Sequence, residues 1–206
     1  MIVTNSGGCL SMKKEYWIRL VILALILCAA VCSSCTPKFN PDNPPWNVCS
    51  SAEGEHPCDF ALMDQHGNQV RLYDFHGKVI ILDFSTMWCG PCRLAAMQVD
   101  ATTAKYEEGE VVYISVLIEN SFGKDPDLRD LENWANSYGI NINPVLAGSR
   151  DWLETSSWHV QAWPTFFIID QKMILRSTIV GFSAASIETA VEDLLPEQDT
   201  GAQAPK

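Results

Sequence analysis

Residues 82–94 read LDFSTMWCGPCRL, and their order constrains the chain more than any other feature. The run VIILDFS, 79–85, is almost continuously apolar, which fits a strand covered on both faces. After the cysteine pair, RLAAMQVDATTAKYEEG, 93–109, carries helical spacing and stops at Gly109. A strand passing into a helix through Cys89-Gly90-Pro91-Cys92 puts Cys89 at or just before the helix N-terminus. Unpaired N–H groups and the positive end of the helix dipole favour thiolate over thiol there. Thiolate is the nucleophile of disulfide exchange. Cys92 lies one turn on, within reach but better covered, so the first cysteine attacks and the second resolves. Gly90 lets a substrate backbone approach, and Pro91 fixes φ where a first-turn N–H needs no partner.

Asp83 interrupts the apolar strand six residues before Cys89. Burying a carboxylate is costly, so a raised pKa and a retained proton are expected. Such an acid takes a proton from Cys92, through a water, as a mixed disulfide resolves. The bland alternative is a structural hydrogen-bonder or a strand-end residue facing solvent.

The rest of the domain, expected over 49–195, alternates strand and helix. FALMDQHGNQVRLYDF, 60–75, reads as a β-hairpin around His66-Gly67-Asn68. VVYISVLIE, 111–119, is a second buried strand. Residues 125–139 form a helix with Pro126 near its first turn and Gly139 at its end. PVLAG, 144–148, is a short strand, and 149–160 a short helix or turn. WPTFFIID and QKMILRSTIVG, 163–181, are antiparallel partners. SAASIETAVEDLL, 183–195, is a closing helix with Ser183 as N-cap. The pattern is α/β: a central mixed sheet with helices on both faces.

Two flanks stand apart. From Met12 the chain runs MKKEYWIRLVILALILCAAVCSSCTPKFNP: positive charge, an apolar stretch too short to span a membrane, then small residues. That is the order of an export signal. Met12 is therefore the expected start, with 1–35 as leader. Val31-Cys32-Ser33-Ser34-Cys35 resembles a bacterial lipoprotein box, with Cys32 where Leu is usual; Cys35 is the expected lipidation site. A tether, 36–48, and a disordered tail, 196–206, complete the organisation. The expected location is the bacterial cell envelope, membrane-anchored, with the domain outside the cytoplasm. The net charge of −11 excludes a nucleic-acid partner. In an oxidising compartment Cys49 and Cys58 are expected to close a structural disulfide. A second redox pair, free thiols and links to other chains are the alternatives.

LDFSTMWCGPC, followed some seventy residues on by WPTFF, resembles the thioredoxin superfamily, specifically the exported TlpA-like thiol–disulfide oxidoreductases. PCDFALMDQHGNQVRLYDFHGKVIILDF looks like the hairpin with which that subgroup begins. The resemblance covers about Cys58 to Leu195. It implies a thioredoxin-like three-layer α/β/α sandwich with an N-terminal hairpin extension. By it Cys89 attacks and Cys92 resolves, Trp88 borders the exposed sulfur, and Pro164 follows a cis bond that presents the Trp163 backbone to substrate. Asp83 matches the buried acid of thioredoxin itself. Ala95 departs from relatives with a Glu three residues after the second cysteine, which puts a cytochrome-maturation role in doubt.

The expected function is exchange of thiols and disulfides with protein substrates, more as reductase than oxidase. Electrons pass to or from a membrane redox protein, and no organic or metal cofactor is needed. A zinc site lacks two well-spaced further ligands. A peroxiredoxin-like peroxidase is the nearest rival, since Thr86 stands three residues before Cys89. A non-catalytic binding or chaperone module using the groove around Trp88 and Trp163 is the other. Trp134, Trp152 and Trp158 are read as core contacts, and His56, His66, His76 and His159 as turn or surface residues. Glu119 closes the second strand, with a place facing the pair as its weaker reading.

Overall fold

The computed structural model describes residues 38–195. The leader with Cys35 and the tail 196–206 lie outside them. Contacts divide the chain after Asn40. In the first unit the described residues, 38–40, carry no helix or strand; the second unit, from Pro41 on, holds the domain.

A small antiparallel pair, β1 (Ala61–Met63) and β2 (Gln69–Arg71), opens the domain. Its turn is set by Asp64, whose Oδ1 accepts from the backbone N–H of His66 and of Asn68, each at 2.8 Å, and by Gly67 at φ +77°. Five further strands make the main sheet: β3 (Val79–Thr86), β4 (Val111–Glu119), β5 (Val145–Ala147), β6 (Thr165–Ile169) and β7 (Leu175–Val180). Their order is β5-β4-β3-β6-β7, with β3, β4 and β5 parallel and β6 and β7 antiparallel to their neighbours.

Helices α1 (Gly90–Ala96), α2 (Val99–Thr103), α3 (Leu128–Tyr138) and α5 (Ala184–Glu192) cover one face. Strand alternation turns Val79 and Ile81 of β3 and Phe166 and Ile168 of β6 toward them, into one buried cluster with Ala95, Leu131, Ile187 and both Cys89 and Cys92. The opposite face is aromatic. Phe84 meets Trp152, Trp158 and Phe167 with ring centroids 5.5–6.1 Å apart, and Phe60 from the hairpin joins them. Trp152 comes from α4 (Arg150–Thr155). Every residue of β3 is buried, as its continuous apolar run requires. Truncating Phe84 to Ala would cost about 3–5 kcal/mol.

The expected single helix over 93–109 is two. Gln98 donates its N–H three residues back to Ala95 O at 2.9 Å, tightening the turn between α1 and α2. The expected helix over 125–139 begins one residue beyond Asp127, which forms a reciprocal capping box with Asp130, and ends at Gly139, φ +68°.

Both sheet edges are covered. The hairpin bridges to β5 through Asp64 and Leu146. On β7, Leu175 exchanges backbone hydrogen bonds with Gly54 and Glu55 (2.8 and 3.0 Å). Capping an edge in this way blocks pairing with other chains. The stretch expected as a tether has no helix or strand in its described part, yet from Pro41 it is fastened to the domain. Trp46 stacks on His56 at 3.9 Å and donates to the Tyr73 hydroxyl at 3.0 Å, and Arg71 bridges Asp42 and Asp59. Among the described residues no helix is long and apolar enough to cross a membrane.

Candidate active site

The parallel strand β3 delivers the cysteine pair. Cys89 is the N-cap of α1 and its Sγ accepts from the Cys92 N–H at 3.2 Å. Gly90 and Pro91 fill the first helical positions. The two cysteines are joined as a disulfide. Cys89 retains 6% of its surface and Cys92 none, so the first cysteine is the less covered of the two. A Cβ on Gly90 would meet open space; the absence of a side chain there serves access, not packing.

β6 brings the second wall. The antiparallel register sets Thr165 opposite Phe84, so Pro164 sits at the level of Ser85, just where β3 gives way to the pair. The Trp163–Pro164 bond is cis. Trp163 packs against the buried cluster that contains both cysteines, and Gly181 N–H donates to Pro164 O at 2.8 Å, fixing the turn.

Beneath the pair lies Asp83, 2% exposed. Alternation along β3 puts it on the face of Ile81 and Val79, the face that carries the cysteines. Its Oδ1 accepts from Ser85 Oγ at 2.7 Å and its Oδ2 from the Tyr113 hydroxyl at 3.1 Å. Burial raises its pKa to about 7, against the pull of those two hydrogen bonds. Burial, with the nearby Asp83 charge, also pushes the Tyr113 phenol well above its ordinary value. The strand-end reading of Asp83 therefore fails: it is an interior acid poised near neutrality.

The sequence reading gave Glu119 little weight and did not find Arg150. The structure brings both to the site. Trp88, 46% exposed beside the pair, donates its indole N–H to Glu119 Oε2 at 2.7 Å. The other carboxylate oxygen accepts from Arg150 Nε. Arg150 in turn lies over the Trp163 ring, 5.7 Å from its centroid. One buried carboxylate thus holds the indole beside the pair directly and, through Arg150, reaches the one before the cis proline. The Arg150 hydrogen bond, helped by that of Trp88, holds the Glu119 pKa below its usual range despite burial. Glu119 closes β4 and Arg150 opens α4, thirty-one residues later; no local pattern joins them.

Thr86, three residues before Cys89, is fully buried, and its hydroxyl has no hydrogen-bond partner among the described residues. Cys49 and Cys58 form a disulfide closing the loop that caps β7. Among the described residues no group of three or more His, Cys, Asp or Glu side chains is arranged to hold a metal.

Three comparisons bear on this geometry. The chain is 28% identical over 189 residues to the thiol-disulfide oxidoreductase ResA of Geobacillus kaustophilus, covering 90% of this chain and all of that one. The crystal structure of the pneumococcal exposed lipoprotein thioredoxin (Etrx1) from Streptococcus pneumoniae is 29% identical with a TM-score of 0.52, over 66% of this chain and all of that one. A thiol:disulfide interchange protein from Bacteroides sp., at 18% identity and a TM-score of 0.60, covers 74% of this chain and 95% of that one, a likeness of fold. The AhpC/TSA family profile matches residues 54–178, from the loop of the first disulfide into β7. With a reachable sulfur at a helix N-terminus, its covered partner one turn on and a thioredoxin-like sheet beneath, this chain is a thiol–disulfide oxidoreductase and belongs to the AhpC/TSA family.

Proposed function

We propose that the protein reduces disulfides of exported polypeptides, from a lipid anchor at Cys35 in the bacterial cell envelope. The observation that carries the redox reading is the asymmetry of the pair: Cys89 capped and reachable, Cys92 wholly buried. In the reduced protein the Cys89 thiolate attacks one sulfur of a substrate disulfide, joining Cys89 to that chain. The other substrate sulfur leaves as thiolate and takes a proton. Cys92 then gives its proton toward Asp83, through a water, and attacks Cys89 Sγ. The second substrate thiolate leaves and is protonated. Two electrons and two protons have passed to the substrate, and Cys89–Cys92 is a disulfide again. A dithiol on a membrane redox protein restores it by the same exchange in reverse, with no organic or metal cofactor.

Trp88 and Trp163 wall the groove, and the Trp163 backbone meets the substrate chain. Gly-Pro between the cysteines supports the reducing direction. The export-like leader and the likeness to a solved lipoprotein thioredoxin, at 29% identity, support the location. The deciding experiment is the reduction potential of Cys89–Cys92, by equilibration in graded dithiothreitol buffers and alkylation of trapped thiols. A value near the roughly −270 mV of thioredoxin fits a reductase, and one near the roughly −120 mV of DsbA makes it a disulfide donor.

A peroxidase is the second reading, favoured by Thr86 three residues before Cys89, whose buried hydroxyl has no partner among the described residues. Consumption of one equivalent of peroxide by the reduced protein, without added reductase, would support it.

A further inference from the structure

We infer that Arg150 is a specificity-determining residue that selects polypeptides carrying a carboxylate next to the reacting cysteine. The inference rests on the reading of the pair as acting on polypeptides. Arg150 commits one nitrogen, Nε, to Glu119, and its guanidinium carbon lies over the Trp163 ring. Its two terminal amino groups have no hydrogen bond or ion pair among the described residues. The side chain is half exposed, at 51%. Glu154 lies near enough to raise its pKa, yet no ion pair forms between them.

A guanidinium held at Nε and placed over one ring is pre-organised, so less rotamer freedom remains to be lost when its free edge meets a ligand. That edge has the geometry of a bidentate donor to a carboxylate. It stands beside Trp163, immediately before the cis proline, where a bound chain passes the cysteines. An Asp or Glu flanking the substrate cysteine would meet it there. The protein's net charge of −11 repels acidic chains at long range. The preference therefore belongs to the contact and not to steering.

The test uses the reduced full chain and two peptides, each closed by one disulfide and differing only in Glu or Gln beside a cysteine. Single-turnover rates are read by acid quench and mass analysis, each divided by that peptide's rate with dithiothreitol to remove intrinsic reactivity. The Glu peptide is expected to react about three- to fivefold faster at low salt, as a half-exposed ion pair allows. The ratio should fall toward one in 0.5 M salt, and toward one in Arg150→Gln. Arg150→Lys should keep an intermediate ratio, since the charge remains but the fork is lost. A ratio near one in the unaltered protein overturns the inference, as does a preference that persists in Arg150→Gln. If neither peptide exchanges while dithiothreitol reduces both, the polypeptide reading falls, and this inference with it.

Discussion

The Tyr113 hydroxyl donates to Asp83 Oδ2 at 3.1 Å, across two neighbouring parallel strands on the face that carries the cysteines. That bond is one of two that pull the Asp83 pKa down against burial; Ser85 supplies the other. Removing it with Tyr113→Phe should raise the pKa above about 7 and cost about 1 kcal/mol of stability. A carboxyl carbon titration by NMR would read the shift. In kinetics, resolution of a mixed disulfide by Cys92 would need a higher pH. An unmoved titration would mean that Tyr113 does not tune the acid.

Asp83 itself sets a pH dependence with an unusual sign for a carboxyl group. The folded state holds the proton to about pH 7, while the unfolded chain releases it near 3.8. Between those values the folded state binds more protons, so stability falls as pH rises, by a total on the order of 4 kcal/mol. The contribution is intact below about pH 4 and gone above about pH 7. Asp83→Asn removes this slope. Guanidinium unfolding at pH 5 and pH 8 should show the variant gaining on the parent between the two. A parallel pH dependence in both proteins would place the Asp83 pKa in its ordinary range.

The sheet and the pair were legible in the sequence because their signals are local. VIILDFS is apolar on both faces, Cys-Gly-Pro-Cys follows without a gap, and Ser183 and Gly139 mark helix ends by their own backbone demands. The acid in an apolar run was equally visible, since a charge there has no cheap alternative. The Trp88–Glu119–Arg150–Trp163 chain was not. Its members lie on four separate segments brought together by sheet order: Trp88 and Trp163 are named one by one through the resemblance, while Glu119 alone reads as a strand end and Arg150 as a surface residue. The break at Gln98 was hidden for another reason: it changes the hydrogen bonding of one turn while the apolar spacing on either side continues.

Removing the first disulfide should cost stability and spare the chemistry. Cys49 and Cys58 are nine residues apart in sequence, and closing so short a loop is worth about 2–3 kcal/mol by chain entropy. The loop also covers β7 through Gly54 and Glu55. A Cys49→Ser, Cys58→Ser variant should melt at lower temperature while Cys89 still exchanges with a small disulfide. Loss of exchange in a folded variant would instead make this a second redox pair.

Gly90 offers a separation of folding from access. It is the first residue of α1, its backbone is not in the left-handed region, and a Cβ meets open space. Gly90→Ala should therefore fold and gain up to about 1 kcal/mol from the stiffer unfolded chain. Exchange with polypeptides should slow more than exchange with a small aliphatic disulfide. Equal slowing would mean that the added methyl acts on the pair and not on the approaching chain.

Glu119 carries a test of the electrostatics at the attacking sulfur. It stays ionised because Arg150 and Trp88 hold its pKa down, so a negative charge lies behind the indole that borders Cys89. A like charge disfavours the thiolate, and a neighbouring cation favours it. Glu119→Gln deletes the negative charge, leaves an oxygen to accept from Trp88, and frees the Arg150 charge of its partner. The apparent pKa of the Cys89 thiol should fall, read as the pH midpoint of its alkylation by iodoacetamide in the reduced protein. Glu119→Leu should give the same fall and also release the Trp88 ring, seen as loss of protection of its indole N–H from exchange. The two variants thus separate charge from positioning. If the alkylation midpoint does not move in either, the Glu119 charge does not reach the sulfur, and the helix N-terminus sets the reactivity of Cys89 without it.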